Sequence, residues 1–356
     1  MASTVDHGFD SSAVFQETEG VDFERAYEFL EYSCSVASRF QATASSLLEA
    51  GSPSLFYREY FSSMLILDLL SSSCLSAHVK SHTASYILSS HGNGVFRFFE
   101  RAEFLPADVD CTALGLAALI RVGEADPEMI DSGCSAVFSN TLSREEIERG
   151  LSDGSIDGIY EKVLEAGTIQ VYLPPRGGRE GRIDPAVGAN ALSMLRFGGR
   201  LEDVRPTLRF VRGVLEHRIY AKGTRYYLSP DAFLYFVARA LSMVPALKDE
   251  LGSLLHDRLL ERIGVNDNPL DLAMRVIAAR LLGIDNDDEA AKLSAQQTQM
   301  GCWPRVGLIR CGRADVALGA ESLTTAFALR ALDSSLSTGQ HRESDPSGSR
   351  DDVSCR

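Results

Sequence analysis

The stretch from Asp110 to Leu119, which reads DCTALGLAAL, decides the fold of this chain. Its polar start is followed by small and apolar residues at helical spacing, without a charge after Asp110. Five further stretches share this plan: YREYFSSML (57–65), DPAVGANAL (184–192), PDAFLYFVA (230–238), PLDLAMRVI (269–277) and ESLTTAFAL (321–329). The recurrence of one plan predicts a repeat protein whose weakly charged helices are covered on nearly all sides.

The segments between these stretches are more charged, and their apolar residues cover only one helical face. They are 23–30, 75–88, 144–164, 201–216, 246–263 and 287–299. Six buried helices that alternate with six amphipathic ones predict an all-α fold, an (α/α)6 toroid with an inner and an outer ring and with minor or no β structure. Because periodicity does not show that the ring closes, an open helical solenoid is the alternative.

The two ends of the chain differ from this pattern. Residues 1–20 are polar and acidic, and residues 334–356 are rich in Ser, Asp, Arg and Gly with hardly any large apolar residue. Such segments bury too little apolar surface to offset the entropy lost on ordering. We therefore expect disordered segments at 1–20 and 334–356, which flank one toroid domain at 21–333.

The composition narrows the class of protein. Hydrophobic residues make up 45% and charged residues 24%, as in ordinary globular proteins, and the net charge of -14 argues against nucleic-acid binding. The apolar runs fall short of the roughly 20 residues of a membrane span, and the first residues do not form a secretory signal. The seven cysteines lack CxxC spacing, which suits reduced thiols. A soluble cytoplasmic protein is expected, with peripheral membrane contact left open.

The turn before Ala113 holds the densest polar cluster. Asp108 and Asp110 lie two residues apart and are followed by Cys111 and Thr112 at the start of a predicted helix. An Asp at a helix start usually caps exposed backbone N–H groups, so capping alone would explain one of them. The cluster is denser than capping requires, which makes this turn the candidate chemical centre.

Here the sequence resembles the class II terpenoid cyclases and the squalene and oxidosqualene cyclases. The first group uses an Asp-x-Asp-Asp turn followed by Thr, and oxidosqualene cyclases read Asp-Cys-Thr-Ala, as residues 110–113 do. Residues 297–303, QTQMGCW, match the Gln-x(2–5)-Gly-x-Trp repeat that links successive helix pairs in those enzymes. Two features depart from the pattern: the chain is long enough for one toroid rather than two, and Cys111 replaces the last Asp of the bacterial motif.

The resemblance implies protonation of a linear isoprenoid, either a prenyl diphosphate or a prenylated compound, as the start of its cyclisation. Asp110 would be the general acid, with Asp108 and Cys111 forming hydrogen bonds around it. Two adjacent carboxyl groups in a dry site can share a proton, because both cannot ionise cheaply. No cofactor is required for this chemistry, although Mg²⁺ could accompany a diphosphate substrate.

A carbocation would need apolar walls and aromatic faces around it. Thr112 at the turn and several aromatic residues near loop ends are the candidates for substrate binding, although core packing explains any one of the aromatic residues equally well. The aromatic candidates are Phe96, Phe98, Phe99, Phe104, Tyr226, Tyr227, Tyr235 and Trp303.

Two charged segments also suggest ligand sites. The loop from Arg176 to Arg182 combines Gly and Arg, which suits a prenyl diphosphate, but it lacks the strand-to-helix context of a phosphate loop, so a solvated loop is favoured. The acidic run from Asp285 to Glu289 lacks the Asp-Asp-x-x-Asp spacing of a metal box and is interpreted as a solvated helix start.

Rival functions remain open. A toroidal glycosidase or lyase could pair Asp184 with Asp110 or Glu321, although a single tryptophan argues against sugar-stacking subsites. Protein prenyltransferases and lanthionine-forming cyclases share the toroid, but their zinc-ligand patterns are absent. A helical-repeat scaffold that binds a partner on its concave face is the non-enzymatic alternative, which the weakly charged inner helices disfavour.

Overall fold

The computed structural model describes residues 20–37, 40, 42–46, 55–73, 75–311 and 316–333. The segments expected to be disordered, 1–20 and 334–356, lie outside this part of the chain except for Gly20. The domain limits therefore stay a prediction.

The described part of the chain contains thirteen α-helices. In chain order they are α1 (Phe23–Ala37), α2 (Phe61–Leu70), α3 (Ala77–Leu88), α4 (Val109–Val122), α5 (Pro127–Phe138), α6 (Arg144–Ser152), α7 (Pro185–Ser193), α8 (Arg205–Glu216), α9 (Pro230–Met243), α10 (Lys248–Leu260), α11 (Pro269–Leu282), α12 (Asp287–Ser294) and α13 (Glu321–Leu332). The six stretches that define the repeat form α2, α4, α7, α9, α11 and α13.

These six helices form a closed inner ring. Each contacts the next in chain order, and α13 packs against α2. The contact between the last and the first member closes the ring, so the predicted toroid is confirmed over an open solenoid, whose ends would not meet.

Burial separates the two rings as the sequence predicts. Every residue of α2 and α7 is buried, whereas α10 buries only the face that carries Leu251, Leu255 and Leu259. Each fully buried Leu, Val or Phe side chain contributes about 1.5–3 kcal/mol. The inner ring is therefore the hydrophobic core of the domain, and the outer helices cover it.

The outer ring differs from the prediction at one position. The segment 144–164 was expected to follow the second inner helix, but α5 stands there and packs against α4. Asp126 accepts a hydrogen bond from the N–H of Met129, and Pro127 occupies the first helical turn, which together start α5. α6 covers only 144–152 and gives way to a turn at Gly154, whose φ is +70°.

A small antiparallel sheet joins the start of the chain's inner ring to its end. Its strands are β1 (Ala42–Ser46), β2 (Leu55–Tyr57), β3 (Ile309–Arg310) and β4 (Val316–Gly319), in the order β2-β1-β4-β3. Thr43 pairs with Gly319, and Ile309 pairs with Leu318. The segments that precede α2 and α13 are thus hydrogen-bonded to each other, and β structure is minor, as expected.

The motif at 297–303 has a structural role. The backbone N–H of Asp22 donates to Oε1 of Gln297 at 2.8 Å, and Nε1 of Trp303 donates to the carbonyl oxygen of Leu293 at 2.7 Å. The backbone N–H of Trp303 donates to Oγ1 of Thr325 in α13. These bonds tie α1, α12 and α13 together, which is the linking role that the resemblance implies.

Within the described residues, every helix is too short or too polar to cross a membrane.

Candidate active site

The acidic turn lies at the start of α4, in the inner ring. Asp108 caps the helix, because its Oδ1 accepts a hydrogen bond from the N–H of Cys111 at 2.7 Å. Asp110 lies in the first turn and is held by two donors from other parts of the ring. Nδ2 of Asn190 in α7 donates to Oδ1 at 2.6 Å, and the hydroxyl of Tyr227, just before α9, donates to Oδ2.

Burial raises the pKa of both carboxyl groups of the turn. The pKa of Asp110 is raised to about 7, chiefly by burial and also by nearby Asp108 and Asp184, while the hydrogen bonds from Tyr227 and Asn190 oppose the rise. Burial likewise raises the pKa of Asp108 to about 6, against the hydrogen bonds with Cys111. Asp110 therefore retains a proton over much of the range near neutral pH, as a general acid must.

A cavity of about 660 Å³ opens beside the two carboxyl groups. This volume lies within the range of small-molecule sites. Its wall is mostly apolar and aromatic, and consists of Phe98, Phe99, Glu103, Phe104, Leu105, Asp108, Asp110, Val171, Tyr172, Arg179, Arg182, Val187, Arg225, Tyr226, Ile309, Arg310, Cys311 and Leu318. The rings of Phe98 and Phe99 lie 4.8 Å apart, edge to face. The site thus offers a carboxyl group with a raised pKa next to π-faces.

The cavity wall includes some of the predicted substrate-binding residues. Phe98, Phe99, Phe104 and Tyr226 line it. Tyr227 is fully buried and contacts the acid instead, as a hydrogen-bond donor rather than as a wall.

The structure corrects the placement of other candidates. Phe96 is buried against Gly115, where an added Cβ would lie 3.0 Å from the Phe96 ring. Oγ1 of Thr112 donates to the carbonyl oxygen of Asp108 and accepts from the N–H of Phe96, so its hydrogen-bonding capacity is used inside the turn. Both side chains support the turn from the core and do not belong to the cavity wall.

Trp303 and Tyr235 are also core residues rather than wall residues. Trp303 is fully buried and serves the linking motif, and Tyr235 packs edge to face on Phe327 with ring centroids 5.2 Å apart. Core packing explains both positions: Trp303 lies between α12 and α13, and Tyr235 of α9 packs against α13 inside the inner ring.

Cys111 contacts the first carboxyl group rather than the second. Burial, the charges of Asp108 and Asp110 and a hydrogen bond with Asp108 hold the pKa of its thiol well above the usual value. The thiol is therefore neutral, and it supports Asp108, which shares the turn with the acid.

Sequence reasoning missed Asn190. It is a fully buried amide in a helix whose residues are all buried, and it supplies a direct partner of Asp110. A polar side chain in such a helix needs a hydrogen-bond partner, since an unpaired buried amide is costly. That signal was present in DPAVGANAL, although it does not identify the partner.

Four arginines add positive charge to the cavity wall: Arg179, Arg182, Arg225 and Arg310. Arg182 and Arg225 both donate to the carbonyl oxygen of Ser155, at 2.8 and 3.1 Å, so their guanidinium groups lie side by side. Nε of Arg310 is buried and has no acceptor among the described residues. In the loop 176–182, which is interpreted from the sequence as solvated, Gly177, Gly178 and Glu180 are exposed, whereas Arg179 and Arg182 are partly buried and line the cavity.

The other acidic candidates serve the fold. Asp184 caps α7 through the N–H of Ala186 at 2.8 Å, and Glu321 is exposed. In the run from 285 to 289, Glu289 is buried and paired with Arg275 at 2.7 Å, so the run is not simply solvated. Within the described residues, no group of three His, Cys, Asp or Glu side chains is placed to hold a metal ion.

Comparisons with known proteins agree with this architecture. The drimenol cyclase drtB of Aspergillus calidoustus is 31% identical over 229 residues, which are 64% of this chain and 38% of that protein. The chain thus spans about two fifths of the length of this curated relative. No protein-family model matches the chain.

Solved structures share the fold at low sequence identity. A protein from Actinoplanes and the type II terpene cyclase MstE from Scytonema each match 87% of this chain with a TM-score of 0.61 and 14% identity, over 97% and 95% of their own chains. A variant of MstE in complex with geranylgeranyl dihydroxybenzoate, its substrate, matches with a TM-score of 0.59 over 87% of this chain and 95% of its own. The chain therefore has the α/α toroid fold of a type II terpene cyclase, and it is similar in sequence to a drimenol cyclase.

Proposed function

We propose that this protein is a class II-type terpenoid cyclase that protonates a linear isoprenoid and so starts its cyclisation. One observation carries the proposal: Asp110 is a buried carboxyl group with a raised pKa on the wall of a largely apolar cavity, with two neutral donors on its oxygens. The similarity to a drimenol cyclase and the fold shared with a type II terpene cyclase support the same assignment.

Asp110 supplies the proton. Its O–H bond breaks while a terminal alkene or epoxide forms the new C–H or O–H bond, which leaves a carbocation on the substrate and a carboxylate on Asp110. Tyr227 and Asn190 each donate to that carboxylate and stabilise it at the moment it forms, as does the N-terminus of α4. Asp108 supports the turn and, as a neighbouring negative charge, favours the protonated acid.

The cation then needs a water-poor wall. Phe98, Phe99 and Tyr226 present aromatic faces to the cavity, and such faces attract positive charge. Ring closure proceeds by attack of further alkene π-electrons on the cation. The final cation loses a proton to a water molecule, and Asp110 takes a proton back from solvent, so the net reaction is an isomerisation. Exclusion of water by the apolar wall prevents early capture of the cation.

The arginines suit an anionic head group on the substrate. Guanidinium groups bind phosphate oxygens bidentately, and Arg310 offers a buried N–H without an acceptor among the described residues. We therefore favour a prenyl diphosphate, to which Mg²⁺ would be bound through the phosphates. The protein would act in the cytoplasm, with peripheral membrane contact to collect an apolar substrate.

The decisive experiment supplies the purified protein with a substrate panel, with and without Mg²⁺. The panel is farnesyl diphosphate, geranylgeranyl diphosphate, squalene, oxidosqualene and geranylgeranyl dihydroxybenzoate, and extracts are analysed for cyclic products by gas chromatography and mass spectrometry. Asp110→Asn should lose product formation by about 1,000-fold or more, because an amide is not a proton donor of useful acidity. Asp126→Asn is the matched control, since it makes the same change at an exposed helix cap that Asn serves equally well.

Circular dichroism should show the same helical content in both variants. Full product formation by Asp110→Asn would contradict the acid assignment. Failure of the wild-type protein on every substrate would favour a binding scaffold with the same fold.

A further inference from the structure

A series of hydrogen-bonded, buried polar side chains starts at Asp110 and crosses the inner ring. Asp110 accepts from Nδ2 of Asn190, and Oδ1 of Asn190 accepts from Nη1 of Arg239 at 3.3 Å. Arg239 is paired with Asp68, and Arg121 reaches the same carboxylate through its Nε at 2.8 Å. These residues belong to α2, α4, α7 and α9, so this series of side chains links four helices of the ring.

Arg239 is fixed in place by its surroundings. Its side chain is 4% exposed; Nε lies 3.0 Å and Nη2 2.9 Å from Oδ2 of Asp68. Nη1 also contacts the hydroxyl of Ser193 at 3.4 Å, and that hydroxyl donates to the backbone oxygen of Asn190. The guanidinium group therefore cannot rotate away from Asn190 without breaking a buried ion pair.

The chemistry of these groups sets the orientation of the Asn190 amide. A guanidinium group only donates hydrogen bonds, so the oxygen of Asn190 must face Arg239 and the NH₂ group must face Asp110. The NH₂ group cannot accept a proton. Oδ1 of Asp110 therefore accepts, and the acidic proton must lie on Oδ2, the oxygen next to the Tyr227 hydroxyl.

We propose that Arg239 is a positioning residue that holds the Asn190 amide in one orientation and thereby confines the acidic proton of Asp110 to Oδ2. The inference rests on the proposed function of Asp110 as the general acid. Without Arg239 the amide could turn over, present its oxygen to Asp110 and draw the acidic proton to Oδ1. The proton would then be held by Asn190 rather than made available for transfer.

The ion pair between Arg239 and Asp68 maintains this orientation of the Asn190 amide over the pH range of an assay. Burial alone would raise the pKa of Asp68, but the guanidinium groups of Arg239 and Arg121 outweigh that effect and hold it well below its usual range. Asp68 is therefore charged at any pH at which the enzyme would be assayed, and the pair anchors Arg239 independently of the state of Asp110.

A double-mutant cycle tests whether Arg239 acts through Asn190. Arg239→Gln should lower kcat by at least about tenfold, as removal of outer partners of catalytic groups does, with KM within about twofold. Asn190→Ala should lower kcat at least as far. Adding Arg239→Gln to Asn190→Ala should change kcat by less than about twofold, because the group through which Arg239 acts is already gone.

Arg121→Gln is the matched control. It removes the other cation from Asp68 but leaves the contact between Arg239 and Asn190, so kcat should stay within about twofold of wild type. Two results would overturn the inference: an equal loss in Arg121→Gln, or an Arg239→Gln effect of undiminished size in the Asn190→Ala background.

A second variant covers the case in which Arg239→Gln does not fold. Adding Asp68→Asn to Arg239→Gln neutralises the buried carboxylate together with its partner, and it should reproduce the kcat loss in a folded protein. Wild-type kcat in this folded double variant would refute the positioning role.

Infrared spectroscopy gives a readout without turnover. The C=O stretch of the protonated Asp110 carboxyl, identified by its absence in Asp110→Asn, should shift in Arg239→Gln, because the carbonyl oxygen changes from Oδ1, which the Asn190 amide bonds, to Oδ2, which the Tyr227 hydroxyl bonds. An unchanged band would overturn the inference. A shifted band in a protein that cyclises none of the substrates would leave the positioning intact and contradict only the proposed function.

Discussion

The hydroxyl of Tyr227 donates a hydrogen bond to Oδ2 of Asp110, across a sequence separation of 117 residues. Tyr227 lies just before α9, whereas Asp110 lies in the first turn of α4, and α7 stands between these helices in the ring. The acid and this donor therefore meet only when the ring has formed. The donor stabilises the carboxylate and so strengthens the acid.

Tyr227→Phe tests this contact. Loss of the hydroxyl removes an interaction that lowers the pKa of Asp110, so the pKa should rise and the acid should weaken. We expect kcat to fall by about 100-fold, the loss typical of one buried donor to a developing anion. Tyr235→Phe makes the same change at a buried tyrosine in α9 that packs on Phe327, and it should keep wild-type turnover. Equal turnover in wild type and Tyr227→Phe would contradict the assigned role.

The rate should depend on pH through the acid itself. Asp110 is active in its protonated form, and its pKa is raised to about 7, so kcat should fall as the pH rises through about 7. In Tyr227→Phe the fall should move to higher pH, although the maximal rate is lower. Steady-state rates between pH 5 and 9 measure both effects. A rate that rises with pH over this range would identify a base and not an acid.

Asp110→Asn should stabilise the protein at high pH. The folded pKa of about 7 lies above the ordinary value of 3.8, so the stability that Asp110 contributes is present at low pH and is lost as the pH rises through about 7. Asn does not ionise. The gain in unfolding free energy from the substitution should therefore be on the order of 3 kcal/mol larger at pH 8 than at pH 4.

Urea denaturation at the two pH values measures that difference. Asp126→Asn, the same change at an exposed helix cap, is measured alongside as the control. A gain from Asp110→Asn that is the same at both pH values would mean that the carboxyl group is not held neutral by its surroundings.

Arg310→Gln tests the head-group assignment. Removing a cation from the cavity wall should raise KM for a diphosphate substrate by about tenfold, a typical effect of losing one charge-assisted hydrogen bond, with kcat little changed. Conversion of an uncharged isoprenoid should be unaffected. Arg212→Gln removes an arginine on the outer face that pairs with Glu216 and Glu250, and it should leave KM unchanged. An equal effect on charged and uncharged substrates would contradict a head-group site.

The sequence predicts what depends on local spacing. The six inner helices follow from small and apolar residues within single segments, and α4 begins one residue before the stretch that reads DCTALGLAAL. α5 was missed because its amphipathic pattern is short, although Asp126 and Pro127 carry its start signal. Short-range patterns therefore suffice for the rings but not for every member of the outer one.

The partners of the acid could not be predicted in the same way. Asn190 is 80 residues from Asp110, and the cavity arginines come from a loop, from the segment before α9 and from β3. Periodicity says which face of a helix is buried, but it does not say which buried polar groups meet. Only the closure of the ring brings these groups together, and the roles of the site residues stay predictions until the variants are measured.

The closed ring of inner helices also determines how the protein unfolds. In an open helical solenoid a terminal repeat can unfold while the rest stays folded, because each repeat contacts only its neighbours. Here α2 packs against α13, and β1 pairs with β4, so segments near the start and the end of the described chain pack against each other. Removal of the segment after residue 308 would expose the faces of both α2 and α11 that pack against α13. The domain should therefore unfold in one cooperative step. During synthesis, α2 can pack against α13 only after α13 has been made.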